Sequence, residues 1–583
     1  MRLKSLRTTL PGIALGLACG IAVATLPSTA AAAPTTAAIQ RIARIYADEA
    51  VRSGASVGVE IGVIYGNEPA QCVSAGDAVL GLHGRRPFTP DTIFQLGSVT
   101  KVFTTNLLGQ AIVAGTVGPQ TPLSSFAGEI GTLQPLTGEV TIEELADFTG
   151  GFPSLGGFCG SPPAPGCLPS ARPTITQYTA QDFAEYFQSA VPMNFFVTPP
   201  APVNSLPAPY NYSDFSIGLL GLLLGNSPGA ALTNAALTGW FNQVDAQILK
   251  PLRMNRTYLF GARGPLVASG YESALASATV ANGRVAAIDL VSPGGLYAAA
   301  PHVRIVGGGG HGATAQATID SSGRVNSITV VKPGNGYYEP ATVTFNGGGS
   351  TVIAKAGIIV RGGKVVAVEV AGTGQGYQRV PVVTISGGHG ANGRDAQAVA
   401  EIANGRLSYV RVTDGGAGYA PPLAVVMAPG GAVDNTIPIW APAGALSSSM
   451  RNMTKFAAAA LGHPRIDGVN APVAISQGFA IAEQPYACAA ADPSLADCPA
   501  GAAQSALAWA ITPPDPDYGV GEVIAKNGGL NGFSTQVMLM PSRDLAVVAF
   551  ANARQNIPDL GQGTAEAAQL ARNVMFALFY GLP

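Results

Sequence analysis

The chain has 583 residues, 47% of them hydrophobic and 11% charged, with a formal net charge of −2. This composition excludes a chain held open by self-repulsion, and the length predicts about two to four folded units at the usual ~100–200 residues each. So sparse and slightly acidic a charge leaves no electrostatic footprint for nucleic acid, which is excluded as a partner.

Residues 1–33 read as a signal peptide: Arg2, Lys4 and Arg7 precede an apolar stretch from Ile13 to Leu26, and Ala30 to Ala33 form a small-residue run. The stretch falls short of the ~20 residues that span a bilayer, and no later run is comparable, so the protein is expected to be exported, periplasmic or secreted, and not transmembrane. Losing this segment moves the formal balance from −2 to −5 and leaves five cysteines. In an oxidising compartment the close pairs Cys159 with Cys167 and Cys488 with Cys498 could each staple a loop, with Cys72 left as a buried thiol.

The periodicity predicts an amphipathic helix over 37–53 and an alternating strand over 56–65. Gly54-Ala55-Ser56-Val57-Gly58 matches the pattern Gly-x-Ser-x-Gly, but a strand follows where a nucleophile elbow needs a helix, so it reads as an ordinary turn. Further on, Ser98-Val99-Thr100-Lys101 opens a predicted helix over 101–114. Residues three apart share a helical face, so the Lys101 amine can reach the Ser98 hydroxyl and accept its proton.

From residue 276 the texture changes. Tyr297, Tyr337, Tyr377 and Tyr419 recur at intervals of 40, 40 and 42, each just after a glycine pattern. Gly283-Arg284-Val285, Gly323-Arg324-Val325, Gly363-Lys364-Val365 and Gly405-Arg406-Leu407 keep the same spacing. Two markers at one period predict an inserted all-β domain of four ~40-residue units over 276–432, with strands such as 325–331 and 341–345. One unit is too small to bury its own apolar face, so neighbours are expected to stack or share sheets. The repeat tyrosines could serve a cell-wall or surface glycan, although regular stacking alone would also place them in the core. Beyond the insertion, strands are predicted over 536–540 and 545–551 and a closing helix over 564–579.

Several ordered motifs carry a resemblance. Pro90-Asp91-Thr92-Ile93-Phe94 followed by Leu96-Gly97-Ser98-Val99-Thr100-Lys101 resembles the active-site segment of class C β-lactamases and of the related D-alanyl-D-alanine peptidases and serine esterases. Phe148-Thr149-Gly150-Gly151-Phe152-Pro153 resembles a family loop that usually begins with histidine. Tyr212-Ser213-Asp214 resembles the Tyr-x-Asn element, and Pro251-Leu252-Arg253-Met254 resembles Pro-Leu-Gly-Met. The pattern resumes at Pro442-Ala443-Gly444-Ala445-Leu446-Ser447-Ser448, and Lys526-Asn527-Gly528-Gly529 resembles the Lys-Thr-Gly strand.

The resemblance implies a β-lactamase/transpeptidase-like α/β (α+β) fold, an antiparallel sheet with helices plus a helical subdomain, split into residues 34–275 and 433–583. It implies that Ser98 is the nucleophile, that Lys101 and Tyr212 handle its proton, and that the backbone N–H groups of Ser98 and Gly529 form the oxyanion hole. Lys526 would anchor a substrate carboxylate or assist proton transfer at Tyr212, with Asn527, Gly528 and Asp214 lining the substrate. Asp214 and Asn527 depart from the family's Asn and Thr, which argues against efficient β-lactam hydrolysis and toward a peptidase or esterase. The expected function is an exported serine hydrolase that cleaves an amide or ester of a small-molecule or peptidyl substrate without metal or organic cofactor. The rival is an adhesion protein that uses the repeats on an inactive scaffold.

Overall fold

The computed structural model describes residues 33–81, 84–154, 178–259, 266–429, 432–433, 435, 439–552 and 566–581. The signal-peptide reading, apart from Ala33, and the pair Cys159–Cys167 lie outside the described residues. Cys488 and Cys498 are joined by a disulfide, their Cα atoms 5.4 Å apart.

The frame of the molecule is a nine-stranded antiparallel sheet that draws on both ends of the chain. Gly58–Tyr65 lies between Gln71–Gly81 and Leu545–Ala551, and the sheet continues outward through Phe533–Met540 and Val523–Leu530. Period-two alternation splits its apolar side chains between two cores. Val59, Ile61, Val63, Val547 and Ala549 face the first and last helices, Thr36–Arg52 and Glu566–Tyr580; Ile64, Val548 and Phe550 face the remaining helices. Helix Thr36–Arg52 starts at Thr35, whose side chain accepts from the Ala38 N–H, and buries Ile39, Ile42, Ala43, Tyr46, Ala47 and Ala50 at helical spacing. The larger core gathers helices Lys101–Val113, Ala180–Ser189, Asp214–Gly225 and Ala235–Val244. Among the described residues no helix is long and apolar enough to cross a membrane.

The four repeat units each form a hairpin, Leu275–Ala281 with Arg284–Ser292, His311–Ile319 with Val325–Asn335, Lys355–Arg361 with Lys364–Gly372, and Gln397–Ala403 with Arg406–Asp414. Each repeat tyrosine sits 4–6% exposed. Their hydroxyls accept from the backbone N–H of Ala274, Ala313, Ala354 and Ala396, at 2.8, 3.3, 2.8 and 2.8 Å. None of the four rings is available to stack on a sugar.

Of the two arrangements expected, stacking or sharing sheets, neighbouring units take the second and are joined by backbone and strand pairing. Tyr297 and Tyr337 donate their backbone N–H to the turn glycines of each other's units, Gly323 and Gly283, and Tyr377 and Tyr419 do the same with Gly405 and Gly363. Short strands then close the set: Val303–Val306 pairs with Ala424–Met427, and Thr342–Asn346 with Val382–Ser386. Two reciprocal pairs thus make a ring, and Val425 lies opposite Ala276 where the chain enters and leaves. The ring is seated on the terminal helices: Ile359, Ala367, Ala403 and Tyr409 share the core of Tyr46, Leu570 and Val574, and Tyr409 stacks on Tyr580 at 5.6 Å.

One buried acid in the sheet makes stability depend on pH. Glu60 is fully buried; Ser74 donates to one carboxyl oxygen at 3.2 Å while the other finds no partner, and burial pushes the carboxyl up to about 8. Between the ordinary carboxylate range and about pH 8 the folded chain keeps a proton that the unfolded chain has lost, so stability falls as pH rises through that window. Glu60→Gln is expected to gain on the native chain by on the order of 1.4 kcal/mol per pH unit there. Urea unfolding at pH 5, 6.5 and 8 measures it, and parallel pH curves for the two proteins would refute it.

Candidate active site

Ser98 lies in a tight 3-10 turn, Gly97–Thr100, that runs directly into helix Lys101–Val113. In such a turn residues three apart nearly eclipse, and the Lys101 Nζ accordingly donates to the Ser98 Oγ at 3.1 Å. Two further acceptors complete its surroundings: the Asp214 Oδ1, and the Ala443 carbonyl at 2.8 Å. Lys101 is fully buried, and burial lowers its pKa while the Asp214 charge works against that shift.

Asp214 opens helix Asp214–Gly225, whose start is fixed by Ser213: the Ser213 hydroxyl accepts from the Ser216 N–H at 3.1 Å and donates to the Pro153 carbonyl at 2.8 Å. The same loop carries Tyr212. It is fastened to the Phe148–Pro153 segment by the Asn211 N–H on the Phe148 carbonyl at 2.9 Å and by the Asn211 amide on the Phe152 carbonyl at 2.7 Å. Phe148 holds a left-handed φ of 71°, a costly conformation for a bulky residue, and its ring packs 4.8 Å from that of Tyr212.

The Tyr212 ring is flanked by two cations, the Nζ atoms of Lys101 and Lys526 at 4.9 and 4.8 Å from its centroid. Its buried hydroxyl makes no hydrogen bond of good geometry. Burial and the Asp214 charge push its pKa well up, and only the nearby Ser98 hydroxyl works the other way. Tyr212 therefore rests as a phenol. Lys526 is also buried, and burial together with Lys101 lowers it to about 7. Its Nζ lies 3.5 Å from the Oδ1 of Asn527, which is exposed beside it on strand Val523–Leu530.

Two glycines let that strand touch the serine turn. A side chain on Gly97, at φ 53°, would lie 2.9 Å from the Gly529 N, and one on Gly528 would lie 2.1 Å from the Leu96 carbonyl oxygen. Thr535 on the neighbouring strand donates to that same carbonyl at 2.7 Å. The contact sets the Gly529 amide beside the turn that carries Ser98.

The structure thus brings Ser98, Lys101, Tyr212, Asp214, Lys526, Asn527, Gly528 and Gly529 to one place, from segments on both sides of the insertion. Sequence reasoning missed three contributors. The Ala443 carbonyl is backbone and leaves no side-chain signal, although its segment matched a family motif. The Phe148 ring was noticed only for the histidine that it replaces. Asn435, between insertion and site, donates to the Gln95 side chain at 3.0 Å and the Asn531 carbonyl at 2.9 Å, and joins the re-entering chain to both walls. Ser56 of the rejected elbow is buried, its hydroxyl donating to the Gly58 carbonyl at 2.9 Å.

The family model described as β-lactamase matches residues 43–572. Among solved structures the chain is similar to a class C β-lactamase (12% identity, 93% of this chain and 96% of that chain, TM-score 0.49). It is similar to the class C β-lactamase from Rhodobacter sphaeroides (15%, 92% and 98%, TM-score 0.45) and to the β-lactamase/D-alanine carboxypeptidase from Pseudomonas syringae (14%, 92% and 99%, TM-score 0.47). No curated protein matches it.

Proposed function

The chain belongs to the β-lactamase family and is a serine hydrolase, and from that premise we propose that it cleaves an ester or amide through an acyl-enzyme on Ser98. The observation that carries the reading is the set of three acceptors around Lys101. When the amine gives up its proton, as burial favours, the Asp214 carboxylate and the Ala443 carbonyl take its two remaining N–H groups and its lone pair is left facing the Ser98 hydroxyl.

In the reaction Ser98 Oγ attacks the acyl carbonyl carbon and its proton passes to Lys101. The Ser98 and Gly529 N–H groups stabilise the oxyanion that develops. Collapse expels the leaving group, which takes the Tyr212 proton while Lys101 restores it. Water then attacks the ester on Ser98 by the same route and frees the acid. Lys526, a buried cation at the rim of this path, suits a substrate carboxylate.

Export is part of the proposal. It is supported by the charged, apolar and small-residue segments of residues 1–33 and by the Cys488–Cys498 disulfide, which an oxidising compartment preserves. The insertion is proposed to be an inserted β-rich domain of residues 276–432 that packs on the terminal helices. With its repeat tyrosines buried, the adhesion reading loses its aromatic surface.

The test is a substrate panel across pH. Lys526 loses its charge as pH rises through about 7, so kcat/KM for a carboxylate-bearing depsipeptide should fall relative to that for a neutral p-nitrophenyl ester, by about tenfold per unit well above that point. Nitrocefin should turn over more slowly than either ester. A pH-independent ratio would remove Lys526 from substrate binding, and no turnover or acylation by any member would overturn the hydrolase reading.

A further inference from the structure

The insertion leaves and re-enters the rest of the chain beside the active site, and both limbs of its stem hold the same turn. Gly270–Tyr271 on the outgoing limb pairs with Ala432–Val433 on the returning one. The Tyr271 N–H donates to the Gly532 carbonyl at 3.3 Å, and Gly270 lies so close that a side chain on it would overlap the Phe533 ring. The Tyr271 hydroxyl ties this limb to the sheet, donating to the Leu80 carbonyl at 2.9 Å and accepting from the Leu80 N–H at 2.6 Å. On the returning limb Asn435 uses both N–H bonds of its amide nitrogen. One goes to the Gln95 side-chain oxygen at 3.0 Å, the other to the Asn531 carbonyl at 2.9 Å.

Those two acceptors stand on the two walls of the site. Gln95 ends strand Ile93–Gln95 just before the Ser98 turn, and Asn531 follows strand Val523–Leu530 just after Gly529. Inside the site the walls already meet once, where Thr535, the strand partner of Gly528, donates to the Leu96 carbonyl. Asn435 joins them a second time beyond Gly529, so the Gly529 amide lies between two ties. One tie lets the end of a strand pivot; two fix its direction. Direction matters here because an oxyanion donor works only when its N–H points to the place where charge develops, and a displacement of about 1 Å can cost on the order of 10²-fold.

Resting on the acyl-enzyme reading above, we propose that Asn435 is a positioning residue: through its two hydrogen bonds the stem of the insertion clamps the Ser98 turn to the end of the Gly529 strand and so aims the Gly529 amide. The insertion is then part of the catalytic frame, and a movement of the ring that pulls on residue 435 changes turnover without touching substrate.

The experiment measures kcat and KM for p-nitrophenyl acetate, which carries no carboxylate for Lys526 to meet. The proteins are wild type, Asn435→Ala, Asn435→Asp, Gln95→Ala and the double variant Gln95→Ala/Asn435→Ala, with kcat referred to the folded fraction. Asn435→Ala is expected to lower kcat about tenfold and to leave KM within about twofold, since a misaimed amide weakens the transition state more than substrate binding. Asn435→Asp keeps the side chain's size but sets a carboxylate against two acceptor oxygens, and should lose at least as much. A clamp needs both ends, so Asn435→Ala should cost less than about twofold once Gln95→Ala is in place. Thermal unfolding should stay close to wild type, because the ring is anchored separately by Val425 opposite Ala276 and by Ile359 and Tyr409 in the core of the terminal helices. An unchanged kcat in both Asn435 variants, or losses that multiply in full in the double variant, overturns the inference while wild-type turnover upholds the acyl-enzyme. If wild type neither turns over the ester nor carries its acetyl group on Ser98 by intact mass, the hydrolase reading itself fails, and this inference with it.

Discussion

Replacing Ser98 by alanine is expected to cut hydrolysis by about 10⁴-fold or more and to leave the fold unchanged. The size follows from the loss of the only atom that forms the acyl bond, which in serine hydrolases leaves just binding and oxyanion stabilisation. The neutrality of the fold follows from what the hydroxyl touches. Its contact with Lys101 is one of three, and Asp214 and Ala443 keep the cation paired without it. The check is intact-mass spectrometry of residues 34–583 after exposure to a fluorescent penicillin, with thermal unfolding alongside. An adduct on wild type alone supports the assignment, and its lifetime separates a slow, peptidase-like trap from fast lactam turnover. An equal adduct or equal ester turnover on Ser98→Ala would place the nucleophile elsewhere.

Much of this site was legible in the sequence because its parts are side chains at fixed spacing in a fixed order. Ser98 and Lys101 are three apart on a helical entry, and Tyr212 with Asp214 and Lys526 with Gly529 are short local patterns. Strand and helix positions followed for the same reason: the apolar run over 545–551 and the helical spacing over 37–53 are local signals, displaced in the structure by at most a residue or two. The rest depends on contacts distant in sequence. The tyrosine period shows four equivalent units, but it carries nothing to say that Tyr337 reaches back to Gly283, or that Val303–Val306 meets Ala424–Met427 and closes a ring. Backbone acceptors such as the Ala443 carbonyl are invisible to motif reading. So is the burial of Glu60, which stands in its strand like any outward-facing polar residue until helix Met450–Ala460 covers that face: a side chain on Gly62, two residues along, would meet Met450 and Thr454.

Lys101→Met should damage both chemistry and stability, and the two losses can be separated. Methionine keeps the apolar stem but removes the proton acceptor, so kcat/KM for ester substrates is expected to fall by about 10²–10⁴-fold. The substitution also strands the Asp214 carboxylate and leaves the Ala443 carbonyl without its donor. Breaking one side of a buried pair costs about 3–5 kcal/mol; because Asp214 keeps 15% of its side chain exposed, the loss here should be about 3 kcal/mol or less. Adding Asp214→Asn to Lys101→Met removes the stranded charge. Most of the stability should return, measured by denaturant unfolding, and none of the activity. That pattern would show that Asp214 and Lys101 act as one electrostatic unit for folding but that only the lysine moves the proton. If Lys101→Met kept its acylation rate, Lys101 would be reduced to a structural cation. The proton would then have to leave Ser98 through Tyr212, which its own burial holds as a phenol.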